Sequence, residues 1–136
     1  MRRPVLIALL SLCLVVSGCG KHERGNGSHN VTYEITGVGV SGKIKISYLS
    51  HMGRPKAGKK IPSRRSSDYA AVPYTKEVTL GDFWDHANIH ANDPGTNDNT
   101  ASLTCTIKHD GAVIATKTGT RSVTCEAPKS ATAESN

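Results

Sequence analysis

Apolar and polar residues alternate with a period of two in short runs along most of this chain, and no long helical rhythm accompanies them. Residues 30–36 set Val31, Tyr33 and Ile35 against Thr32, Glu34 and Thr36, and residues 43–49 set Ile44, Ile46 and Tyr48 against Lys43, Lys45 and Ser47. Successive side chains of a strand project to opposite faces, so each run predicts a strand with one buried side. Residues 72–80 repeat the pattern with Val72, Tyr74, Val78 and Leu80, and Pro73 suits an edge or a strand start because it has no N–H to give a ladder. Ala87, Ile89 and Ala91 mark a short strand over 86–91, followed by a turn-rich connection through Pro94-Gly95. Leu103, Cys105 and Ile107 share a face in 101–109, Asp110-Gly111 supplies a tight turn, and 112–118 runs back as a hairpin. Val123 and Cys125 share a face in 121–126.

Between these runs, residues 50–71 lack the apolar content to fold on their own and predict a long mobile loop. About seven short antiparallel strands separated by turns predict an all-β fold, an immunoglobulin-like β-sandwich occupying residues 30–126. Residues 127–136 are a polar tail.

Cysteine parity adds one core disulfide. Cys105 and Cys125 each lie on the apolar face of their run, so both thiols point inward. Closing a loop of about 20 residues stabilises a fold by roughly 3 kcal/mol in the chain-entropy model. Aromatic residues are only 4% of the chain, with a single tryptophan, so the core has little bulk to replace that contribution.

The N-terminus alternates with nothing. Arg2 and Arg3 precede an apolar run over residues 5–16, and Val16-Ser17-Gly18-Cys19 closes it in the form of a bacterial lipobox. A membrane-spanning helix needs roughly 20 apolar residues to cross a core about 30 Å thick, and this run is too short. Residues 1–18 are therefore expected to be a signal peptide, Cys19 the lipidated first residue of the mature protein, and 20–29 a flexible polar tether. Two acyl chains, at about 0.8 kcal/mol per buried methylene, hold a protein stably where one chain is marginal. The expected address is the extracytoplasmic face of the cell membrane, with Cys19 as the anchor. An exported chain also favours the disulfide.

Lys and Arg number 17 against 11 Asp and Glu. The excess is local: Arg54, Lys56, Lys59, Lys60, Arg64 and Arg65 have no acid among them. Outside the cytoplasm this cluster is expected to meet anionic lipid headgroups or an acidic protein patch, and nucleic acid is not an expected partner. No glycine-framed nucleophilic serine, phosphate-binding glycine loop or zincin helix is present, so neither an enzyme nor a cofactor is expected. His86 and His90 project from one face of a strand, but residues four apart on a strand lie about 13 Å from each other, too far for one ion with ligands near 2 Å. No metal site is expected there. Phe83 and Trp84 sit beside turn residues, as core or as an interaction edge.

Taken in order, these segments resemble the mycobacterial membrane protein small family, MmpS. Val31-Thr32-Tyr33-Glu34-Ile35-Thr36-Gly37 is similar to its opening strand and Ile46-Ser47-Tyr48-Leu49 to its second. Pro73-Tyr74-Thr75 is similar to a Pro-Trp-Ser element, and Cys105-Thr106-Ile107 with Asp110-Gly111 and Val123-Thr124-Cys125 to a cysteine-flanked hairpin. The resemblance implies a non-catalytic accessory domain that helps a transporter of the resistance-nodulation-division type, MmpL, to export lipids or siderophores. Family members usually hold on by a spanning helix, whereas Cys19 implies acyl chains here. Tyr74 stands where the family has tryptophan, and residues 50–71 are unusually basic. The competing expectation is a surface binding or adhesion module that engages an anionic lipid or cell-wall ligand through the basic loop.

Overall fold

The computed structural model describes residues 29–53, 57–60, 62–95 and 100–129. Their strands are β1 (Asn30–Val38), β2 (Lys43–Met52), β3 (Ser63–Ala71), β4 (Tyr74–Thr79), β5 (Asn88–Asn92), β6 (Ser102–His109), β7 (Ala112–Thr120) and β8 (Ser122–Glu126), with a 3-10 helix over Gly81–His86. They form two four-stranded antiparallel sheets, ordered β4-β1-β6-β7 and β3-β2-β5-β8, packed as a sandwich. Among the described residues no helix is long and apolar enough to cross a membrane.

The alternation read from the sequence sets the inner faces. Val31, Tyr33 and Ile35 of β1 meet Ile44, Ile46 and Tyr48 of β2, with Ile89, Ala91, Leu103, Ile107 and Val123 filling the rest of the core. Tyr33 is wholly buried, and its hydroxyl donates to the Leu49 carbonyl at 2.8 Å, which satisfies the one polar atom of an otherwise apolar position. Burial pushes its phenol well above the ordinary tyrosine range.

Cys105 on β6 and Cys125 on β8 are joined, with sulfurs 2.01 Å apart and Cα atoms 5.9 Å apart. Because β6 and β8 belong to different sheets, the bond ties one layer to the other at the core. The β6–β7 turn is Asp110-Gly111, both with positive φ (48° and 88°), the mirror-image geometry that suits the twist of a hairpin. Gly119 on β7 has a different reason to be glycine: a Cβ there would lie 2.2 Å from the Ser122 carbonyl oxygen.

Among the described residues the sandwich has eight strands, and the one over Ser63–Ala71 corrects the expectation of a mobile loop over 50–71. Residues Ser63–Ala71 are strand β3, an edge strand paired along β2. Its inward positions are Ser66, Asp68 and Ala70, of which only the small Ala70 is apolar and packs against the edge of the core, too little to mark a buried face in the sequence. What holds it is the backbone ladder with β2 and a polar cluster in which the Tyr48 hydroxyl (3.3 Å) and the Tyr74 hydroxyl both donate to Asp68 Oδ2. Burial, and then the Asp68 carboxylate beside it, raise the Tyr74 phenol far above its usual range. On the other sheet, the edge strand β4 carries Lys76, exposed at the register position opposite Tyr33, a charge that discourages pairing with another chain's edge.

Candidate functional site

At one end of the sandwich three parts of the chain converge: His29 at the entry to β1, the 3-10 helix, and the β6–β7 turn. Register brings them together, since Val31 pairs with His109 and Asn30 with Thr79. His29 is held by its backbone, whose carbonyl accepts from the Leu80 N–H at 3.1 Å. Asp110 is held twice: its N–H donates to the Asn30 carbonyl at 2.9 Å, and its Oδ1 accepts from the Asn30 N–H at 3.0 Å. That reciprocal pair leaves the other carboxylate oxygen facing the imidazoles. Oδ2 lies 3.6 Å from His29 Nδ1 and 3.4 Å from His109 Nε2.

The imidazole nitrogens themselves, His29 Nδ1 and His109 Nε2, are 2.8 Å apart. Trp84 lies flat on His109, ring centroids 4.0 Å apart and planes inclined by 9°, with the tilted His29 ring at 6.4 Å from the indole. Asp82, from the same short helix, places Oδ1 3.9 Å from His29 Nε2. The result is two imidazoles and a carboxylate with donor atoms all within 4.8 Å of one another, backed by an aromatic wall and partly open to solvent. Such a set can hold a cation or share a proton.

The residues singled out from sequence fall elsewhere. Cys19, Arg54 and Lys56 lie outside the described residues. Lys59 and Lys60 are exposed between β2 and β3, and Arg64 and Arg65 belong to β3 itself. Arg65 crosses the outer face of its sheet, donating to Asn88 Oδ1 on β5 and to Ser47 Oγ on β2 at 3.3 Å. Lys43 and Lys45 occupy the outward positions of β2, so this face carries cations beyond the sequence-local cluster. The opposite outer face is of another kind: Thr104 and Thr118 hydroxyls meet at 2.8 Å, and Glu34 pairs with Lys108 at 2.8 Å.

His86 and His90 have separate environments. His86 is 3.8 Å from Asp85, while His90 Nδ1 is 2.8 Å from Thr124 Oγ1 on β8. The sequence reading missed His29, His109 and Asp110 as a group, because 80 residues separate the two histidines and only the β1–β6 register unites them. The Asp110-Gly111 turn was the one visible landmark. Comparison with known proteins finds no matching family model, no matching curated protein and no matching solved structure.

Proposed function

We propose that this protein is a lipid-anchored, extracytoplasmic accessory domain, similar in role to MmpS proteins, that docks onto an MmpL-like transporter and has no catalysis of its own. The observation that carries the reading is the placement of the segments on which the resemblance rests. Those around Tyr33, Tyr48, Tyr74, Cys105 and Cys125 are scattered in sequence, yet β1 pairs with both β4 and β6, and the disulfide joins β6 to β8. They therefore form one connected framework. The inner faces are occupied by Tyr33, Ile35, Ile46, Ile89 and Leu103, which favours docking over carriage of an enclosed apolar cargo. The lipobox at Cys19 supplies attachment without a spanning helix.

Crosslinking in intact cells followed by co-purification tests the reading. Recovery of a large transporter of the resistance-nodulation-division type supports it, and its absence from the crosslinked material overturns it. A second reading, a surface module for an anionic ligand, is favoured by one specific observation: Lys43, Lys45 and Arg65 add to Lys59, Lys60 and Arg64 around the β2–β3 pair. Binding to vesicles rich in anionic lipid, lost when these six become serine, supports that alternative.

A further inference from the structure

We propose that His29, His109 and Asp110 form a binding site for a divalent first-row transition ion of the zinc type, which fastens the entry to β1 onto the β6–β7 turn.

Geometry comes first. A tetrahedral ion with ligands at about 2.0–2.1 Å sets its donor atoms roughly 3.3 Å apart. His29 Nδ1, His109 Nε2 and Asp110 Oδ2 already form a triangle with edges of 2.8, 3.4 and 3.6 Å. A few tenths of an ångström along the shortest edge convert this triangle into one face of that tetrahedron. The fourth position falls to a water or an incoming ligand, and the side chains, 32%, 20% and 28% exposed, leave it reachable.

Donor chemistry selects the ion. Two imidazole nitrogens among three donors suit zinc, copper(II) or nickel, whereas calcium and magnesium need shells built almost wholly of oxygen. The surroundings hold the ligands in their binding orientation. Trp84 stacks on the His109 ring, Asn30 fixes Asp110 Oδ1 so that Oδ2 is presented, and the Leu80 N–H fixes His29 at its carbonyl. With Nδ1 on the ion, the His29 Nε2–H would lie 3.9 Å from Asp82 Oδ1, longer than a direct hydrogen bond but close enough for the carboxylate to favour the ligating imidazole electrostatically.

The consequence is mechanical. The proposed ligands come from two sites 80 residues apart, so an ion bound there crosslinks the residue preceding β1 to the far hairpin.

The test uses the tag-free full-length chain in detergent, titrated with zinc chloride alone and followed by calorimetry and by the emission of Trp84, the chain's single tryptophan. One equivalent should bind with a dissociation constant on the order of micromolar or below. Cobalt(II) should give the visible absorption of a tetrahedral site, and calcium and magnesium should not compete. His29→Ala and His109→Gln should each weaken binding by more than about tenfold, and Asp82→Asn by roughly tenfold. Asp110→Asn is the decisive variant, since Asn tolerates the positive φ and keeps the Asn30 contact through its Oδ1, while an NH2 that cannot ligate a metal replaces Oδ2. It too should weaken binding by more than about tenfold while the melting temperature without zinc stays near that of the wild type. His86→Ala with His90→Ala should change nothing. Absence of stoichiometric binding, undiminished binding by the Asp110→Asn protein, or binding that follows His86 and His90 would each overturn the proposal. None of these results depends on a transporter partner.

Discussion

The indole of Trp84 lies parallel to the imidazole of His109, with centroids 4.0 Å apart, so the only tryptophan of the chain is an outer wall of the sandwich's end instead of a core residue. It is partly buried and packs against the core cluster from its edge. Trp84→Leu should preserve that apolar packing and lose the stacking, at a cost of about 1 kcal/mol. Trp84→Ala should also open a gap and cost about 2–4 kcal/mol, since part of the indole is solvated already. Urea denaturation monitored by circular dichroism measures both.

Asp68 holds the edge strand β3 by accepting from two tyrosine hydroxyls, those of Tyr48 and Tyr74. Replacing it by Ala should leave both hydroxyls short of an acceptor in a half-buried place and cost about 1–3 kcal/mol. Amide exchange should then quicken along Ser63–Ala71 more than along β1 or β6. Equal acceleration throughout would show that Asp68 supports the whole sandwich and not this strand in particular.

Alkaline titration should show tyrosines held back from ionisation. Tyr33 and Tyr74 have folded pKa values raised by burial, and Tyr74 further by Asp68. The neutral phenol is favoured in the folded state, so the stabilising contribution is complete below the unfolded value of about 10 and is lost as pH rises above it. Stability measured by denaturant should therefore fall progressively above that pH. Phenolate absorbance from Tyr33→Phe and Tyr74→Phe proteins should lack only the portion that appears with unfolding.

Removing the bond between β6 and β8, by replacing both Cys105 and Cys125 with Ala, should lower stability by about 3 kcal/mol. Peptide mapping of native protein should recover the two cysteines as one crosslinked pair that separates only on reduction. Recovery of either as a freely alkylated thiol without reductant would contradict the pairing.

Serine substitutions should divide the basic residues into two groups. Lys59→Ser and Lys60→Ser lie in an exposed connection and should leave thermal stability within about 0.5 kcal/mol. Arg65→Ser removes hydrogen bonds to Asn88 and Ser47 across three strands and should cost about 0.5–1 kcal/mol, an amount limited by solvent at this exposed position. Membrane attachment is a separate matter: Cys19→Ser should release the protein into the soluble fraction, and unchanged sedimentation with membranes would refute acylation at that residue.

The strands whose inner faces are apolar were legible from the chain alone. Val31, Tyr33 and Ile35, or Leu103, Cys105 and Ile107, announce a face because burial of every second residue leaves a local record in the sequence. The same parity turned Cys105 and Cys125 inward, and Asp110-Gly111 announced its turn because few residues accept its backbone angles. Strand β3 left no such record: Ser66, Asp68 and Ala70 are held by the ladder to β2 and by hydroxyls from Tyr48 and Tyr74, partners that become neighbours only once the sheets exist. The cluster of His29, His109 and Asp110 was hidden for the same reason. Alternation determines which side of a strand faces the core, but it does not say which strand lies beside which, and that pairing alone carries His29 across 80 residues to His109.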